Sequence, residues 1–179
     1  VSRITLEGYV SGLFIYEDTL AIFGYEYDED IYDFIGFRPQ SGMTYFDIYD
    51  MTDKEDLELK EEYSFEGHYF NARMIENQVY FSVKSNPEYR AIHPLPILYK
   101  GGIDVEPMIQ EIPIDRMMWH PGMYDYAQLV SVHSIDLEGK DDVESLSVAV
   151  DNAQTLYMSQ NNMFILGSEY INEYEIEQE

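Results

Sequence analysis

The sequence predicts an all-β chain arranged as a partial propeller: about three four-stranded antiparallel blades, the third incomplete, with a long insertion in the second. Three observations lead there. Segments 13–24 (L-F-I-Y-E-D-T-L-A-I-F-G), 72–83 (A-R-M-I-E-N-Q-V-Y-F-S-V) and 156–167 (L-Y-M-S-Q-N-N-M-F-I-L-G) align without gaps over 12 positions. Each copy but the last is followed by two further strand-like runs. Aromatics make up 15% of the chain, with 17 Tyr, a composition suited to half-buried strand faces.

Each hairpin opens on an apolar or mixed run and turns on a polar pair: Glu17-Asp18, Glu76-Asn77 or Gln160-Asn161. Asp and Asn tolerate the left-handed conformations of tight turns. Each closes on an apolar run, Leu20–Phe23, Val79–Val83 or Met163–Leu166, nearly continuous as in strands covered on both faces. The spacings are 72 − 13 = 59 and 156 − 72 = 84, and they become comparable once the insertion 86–122 is set aside. Runs 43–51 and 57–65 complete the first unit, with Leu57, Leu59, Tyr63 and Phe65 on one parity. Runs 127–137 and 143–150 complete the second, and the charged turns Asp50 to Asp56 and Asp136 to Asp142 correspond. The units are then 8–66, 67–152 and 153–179, forming one propeller fragment over 1–179. The third stops after E-Y-I-N-E-Y-E-I, without a fourth strand.

No run of ten or more residues carries a helical stripe with caps, and Pro107–Met118 reads as loop because Pro113 interrupts it. The insertion holds six of the seven prolines, and loops of this length are usually functional or disordered. Its aromatic and Met content predicts a loop packed over a blade edge, or a recognition surface.

Lys plus Arg number 10 against 35 Asp plus Glu, a net charge of −25. Such a surface repels phosphate backbones and anionic headgroups, which excludes nucleic acid and disfavours membranes. The acids are spread along the chain and predict a solvated, self-repelling surface, with salt adaptation or cation binding as the alternatives. There is no Cys, so neither disulfide nor thiolate chemistry arises. No apolar run approaches the length of a membrane span. The opening Val, with neither an initiator Met nor a signal peptide, suggests a piece of a longer protein.

The runs G-Y-V-S-G-L-F-I-Y-E-D-T-L-A-I-F-G, Y-F-D-I-Y-D-M-T-D-K-E-D-L-E-L, F-E-G-H-Y-F-N-A-R-M-I-E-N-Q-V-Y-F and W-H-P-G-M-Y-D-Y-A-Q-L-V-S-V-H-S-I-D-L, in that order, resemble the secreted β-propeller domain of archaea and bacteria. That family is distantly similar to WD40 repeats. Where it commonly has Asp-Ser-Arg, this chain has Asn71-Ala72-Arg73 and keeps only Arg73. An opening blade and the closing blades of the family pattern are absent. The resemblance implies a secreted or cell-surface module and supplies no catalytic residues.

The four histidines, His68, His93, His120 and His133, read as surface or loop residues, and none pairs at metalloprotease spacing. No nucleophile elbow, glycine-rich phosphate loop or EF-hand occurs. His133 and Ser134, adjacent on a strand, point to opposite faces and cannot pair. Asp28, Asp30 and Asp33, read as loop residues, are the candidate calcium ligands; otherwise no cofactor is expected. Tyr99, Trp119, His120 and Tyr124 are the candidate ligand-binding residues, because they gather aromatic surface in and beside the insertion. The expected function is a non-catalytic scaffold or binding platform for a protein or glycan. The alternative is a glycan-directed hydrolase with paired carboxylates in a blade cleft. A homo-oligomer covering exposed blade faces is a further expectation.

Overall fold

A computed structural model describes residues 3–6, 8–86, 90–102, 105–119 and 128–167. The first sheet contains β1 (Tyr9–Tyr16), β2 (Thr19–Glu26), then after helix α1 (Glu29–Ile35) β3 (Met43–Asp50) and β4 (Glu58–Glu66). The second contains β5 (His68–Ile75) and β6 (Gln78–Ser85). The insertion then contributes β7 (Ile97–Gly101), β8 (Met108–Glu111), a short 3-10 turn (Ile114–Arg116) and β9 (Met117–Trp119). The second sheet resumes with β10 (Gln128–Asp136) and β11 (Glu144–Val150), and β12 (Ala153–Met158) and β13 (Met163–Gly167) form a third.

The strand orders are β1-β2-β3-β4-β7-β8, β5-β6-β10-β11-β9 and β12-β13. Each complete blade is therefore a four-stranded antiparallel meander, and the insertion lengthens both. β7 adds to β4, pairing Ser64 with Tyr99, while β9 adds in parallel to β11, pairing Ala149 with Trp119. The insertion is thus not a structureless loop. Its short strands satisfy backbone groups that two sheet edges would otherwise leave open.

The repeated hairpins share one register. Leu13 faces Ile22, Ala72 faces Phe81 and Leu156 faces Ile165. A β-bulge falls at the same place in each, at 10/12, 69/71 and 153/155. In the first two turns the positive φ sits on Glu17 (50°) and Glu76 (55°), one residue before the Asp or Asn expected to hold it. Asp18 and Asn77 serve instead through their carbonyls, which accept from Met51 N at 2.7 Å and Leu137 N at 2.9 Å. The third hairpin turns over four residues, closed by Ser159 N donating to Asn162 O at 2.8 Å. Gly24 is required because a Cβ there would lie 1.8 Å from Tyr9 O across the bulge.

The sheets pack face against face. Ala21, Phe23, Phe46, Ile48, Tyr63 and Phe65 of the first blade bury against Val79, Phe81, Val83 and Ile135 of the second. The opposite face of the second blade, with Val130 and Val132, meets Ala153, Leu156 and Met158 of the third. Blade two also donates to carbonyls of β12, along an edge that no described strand pairs. Asn71 Nδ2 donates to Leu156 O at 3.4 Å, Lys84 Nζ donates to Ala153 O at 3.1 Å, and Arg73 donates to Met158 O. The one residue retained from the family triplet therefore ties successive blades together.

Helix α1 falls where loop was expected. Asp28 caps it, its Oδ1 accepting from Asp30 N at 2.8 Å and Ile31 N at 3.1 Å. Gly36, at φ 82°, ends it. Ile31, Tyr32 and Ile35 bury against Met43, Ile97 and Tyr99. No helix among the described residues is long and apolar enough to cross a membrane.

Candidate functional site

The most unusual chemistry lies on the face of the first blade that looks away from the second. Strand alternation puts Tyr45, Asp47 and Tyr49 there, opposite the core residues Phe46 and Ile48. One row across the sheet reads Leu13, Ile22, Asp47, Glu62, Gly101. The next reads Gly24, Tyr45, Ser64, Tyr99. Glu26 shares the face and accepts a hydrogen bond from Ser64 Oγ. Ile4 and Leu6 pack beside Ile22, Tyr45 and Tyr49, and α1 covers Met43 and Tyr99, so the acids sit between two flanking elements.

Burial changes the acidity of these groups. Glu26 is 7% exposed, and desolvation, opposed by the Ser64 bond and assisted by the nearby Asp47 and Glu62 charges, pushes it up to about 8. Asp47, half-buried, is raised to about 7 by desolvation and by Glu62. Desolvation and Asp28 raise Glu62 as well. Tyr45 is 3% exposed, and desolvation with the Asp47 and Glu26 charges lifts its hydroxyl to about 12. Among the described residues neither that hydroxyl nor Asp47 Oδ1 has a hydrogen-bond partner, whereas Tyr49 donates to Asp47 Oδ2 at 3.2 Å. Among the described residues no Lys, Arg or His reaches Glu26, Asp47 or Glu62 as an ion pair.

The second blade builds the same row differently. There Phe81, His133 and Ser145 take the places of Ile22, Asp47 and Glu62. His133 is 1% exposed and packs against Phe65 of the first blade, with ring centroids 4.1 Å apart and the planes tilted by 38°. Its Nδ1 and Ser145 Oγ are 2.8 Å apart, and desolvation lowers its pKa to about 3. His133 is therefore a sealed, neutral core residue, not the surface residue expected. Burial denies it any exchange of protons with a substrate.

Stability should accordingly depend on pH in an unusual sense. The folded values of Glu26 and Asp47 lie above their unfolded ones of 4.5 and 3.8. Their contribution is full in acid and is lost as pH rises through about 8 and about 7. His133 opposes them, contributing fully above its unfolded 6.5 and losing that contribution as pH falls toward about 3. At pH 6.5 half of the unfolded His133 is still protonated, so above that pH it adds only about 0.4 kcal/mol and the carboxylates decide the sign. The unfolding free energy is expected to drop by about 2 kcal/mol between pH 6.5 and 8. Urea titrations at both pH values check this, and a midpoint that rises with pH contradicts it.

The residues singled out from sequence are dispersed. Tyr99 is 9% exposed on β7 and packs edge-on against Phe34 of α1 at 5.7 Å. Trp119 ends β9 on the second blade. His120 and Tyr124 lie outside the described residues. Asp28 is spent as the helix cap, and Asp30 and Asp33 are exposed on α1 rather than in a loop. No group of three or more His, Asp or Glu among the described residues is placed to hold a metal ion. His68 stacks on Tyr25 at 5.7 Å, and His93 pairs with Glu111 at 2.8 Å. Glu26, Tyr45, Asp47 and Glu62 were not distinguished from the other acids and tyrosines. The signal available was parity, since each falls on the face opposite the aromatic core.

Neither the curated proteins nor the solved structures contain a match to this chain. Among protein families, the Beta propeller domain matches residues 1–179. With the stacked four-stranded sheets, that match over the full chain establishes the assignment: the chain belongs to the Beta propeller domain family.

Proposed function

We propose that the chain is a non-catalytic module of a secreted or cell-surface protein, acting as a scaffold or as a binding platform for a protein or glycan. The observation that carries the reading is the contrast between the inner and outer faces of the stack. Ala72 and Met74 pack against blade one, and Leu156 and Met158 pack against blade two. Their counterparts on β1, Leu13 and Ile15, are 56% and 54% exposed. At the other end Tyr157, Phe164 and Leu166 are equally open. Surfaces that blades bury elsewhere are thus presented for an occupant, and apolar surface of this kind marks an interaction site. A second copy docked head to tail is one such occupant. The net charge of −25 keeps such a module dispersed in water and away from anionic surfaces. The secreted location rests on the family resemblance.

A glycan-directed hydrolase is the second reading, favoured by one observation. Asp47 and Glu62 are direct cross-strand neighbours, a spacing of about 4.5–5.5 Å between Cβ atoms, close to that of paired glycosidase carboxylates. Binding and turnover assays on one panel of polysaccharides and peptides separate the two. The platform reading expects saturable binding, weakened by Leu13→Asp with Ile15→Asp, and no turnover. Reproducible turnover abolished by Asp47→Asn overturns it.

A further inference from the structure

We propose that the mouth of the seam between the second and third blades is a subsite for one neutral sugar unit of a glycan. This deepens the platform reading and rests on it. A cavity of about 210 Å³ opens there, between Tyr80 of β6 and the hairpin turn that runs from Met158 to Met163. Tyr80 is half-buried and packs beside the seam residues Val130, Val132 and Met158. Met158 and Met163 are cross-strand partners at the base of the turn. The turn itself is held by Ser159, whose Oγ accepts from Asn162 N at 3.0 Å. It sets Gln160, Asn161 and Asn162 along the cavity. Among the described residues the carboxamides of Gln160 and Asn161 have no hydrogen-bond partner.

The equivalent hairpins show what is particular here. No charged side chain lines the cavity, in a chain of which 25% is charged. The matching turns carry Glu17-Asp18 and Glu76-Asn77 instead. In the second blade the Asn77 amide is already spent on Asp136 at 2.8 Å and Glu138 at 3.1 Å. At the first seam Ala21, fully buried, stands where Tyr80 stands at the second, so no ring is offered. A larger cleft of about 350 Å³ at the first seam is lined by Asp50, Glu61 and Glu138. Each of those acids already holds a lysine, at 3.2, 3.4 and 2.7 Å.

The chemistry selects the ligand. A carboxamide offers two N–H donors and an acceptor oxygen, which matches a sugar hydroxyl that both donates and accepts. The Tyr80 ring and the two thioethers supply apolar surface for the C–H face of a pyranose. A charged ligand meets no opposite charge in the lining. The volume lies below the roughly 300–1,000 Å³ of sites for drug-sized ligands, so it suits a single ring with the rest of the glycan outside.

Titration of the full chain followed by NMR tests the inference. The probes are the neutral trisaccharides chitotriose, maltotriose and cellotriose, the acidic trigalacturonic acid, and acetyl-Gly-Asn-Gly-amide as a peptide. The expected result is saturable binding of at least one neutral trisaccharide, about tenfold weaker in Gln160→Ala with Asn161→Ala and about tenfold weaker in Tyr80→Leu. Gln160 and Asn161 are exposed, so the turn variant remains informative if Tyr80→Leu fails to fold. Glu17→Gln with Asp18→Asn gives the first hairpin an amide turn beside Ala21, and should leave the affinity unchanged. No binding of any neutral trisaccharide, equal affinity for trigalacturonic acid, tighter binding of the peptide, or an unaltered affinity in the turn variant overturns the inference. The platform reading fails on a different result, namely turnover.

Discussion

Replacing Phe81 with alanine is expected to destabilise the protein by about 3–5 kcal/mol. Phe81 is fully buried on β6, and four rings surround it at the junction of the first two blades, three from the first sheet and Tyr69 from its own. Its ring centroid lies 5.2 Å from Phe46, 5.3 Å from Phe23, 5.4 Å from Phe65 and 5.7 Å from Tyr69. Phe23, Phe46 and Phe65 come from three different strands of the first sheet, so truncation opens a void that no single neighbour can refill. Cavity formation therefore adds to the lost transfer free energy. Phe81→Leu keeps most of the volume and should cost clearly less. Urea unfolding of both variants gives the comparison, and equal losses would show that packing at this junction is loose.

Arg90→Ala is expected to cost a similar amount, about 3–5 kcal/mol, for an electrostatic reason. Glu66 is 3% exposed at the end of β4, and Arg90 meets it with both terminal nitrogens, at 2.9 and 3.0 Å. The guanidinium also donates to Leu95 O at 3.1 Å and lies over the Phe37 ring at 4.3 Å. Glu66 accepts from Ile97 N at 3.1 Å as well, where the insertion joins the first sheet. Losing Arg90 leaves the buried Glu66 carboxylate without that cation. Removing both charges, as in Glu66→Gln with Arg90→Met, should recover most of the loss, because the unpaired charge is the larger part of the cost. Urea midpoints of the single and double variants decide it: a double variant no better than Arg90→Ala contradicts this account. A secondary sign would be faster proteolysis within the insertion.

The hairpins were legible because two signals coincide at each, a polar turn pair and a closing apolar run. Their shared bulge was not, since Ser11, Phe70 and Gln154 have nothing in common to announce it. Helix α1 is hard to read from the sequence because seven residues give too short a stripe, although Asp28 and Gly36 are ordinary start and stop chemistry. Strands β7 to β9 lie among prolines that hide alternation over runs of three to five residues. His133 reads with the other histidines as a surface or loop residue, since none has metal-ligand spacing. Its parity with Ser131 and Ile135, on a strand buried on both faces, was the better guide. The acids of the first blade show the same lesson. Asp47 and Glu62 look like two of 35 until register sets them side by side beneath flanking elements.

In a propeller, consecutive sheets lie broadside to one another. A double-mutant cycle between Phe46 on β3 and Phe81 on β6 measures that contact directly, because the two residues share no strand and meet only across the gap. With leucine at each position, a coupling of about 0.5–1.5 kcal/mol is predicted. Strictly additive losses would mean that the two rings never touch, and the stacked arrangement would be wrong.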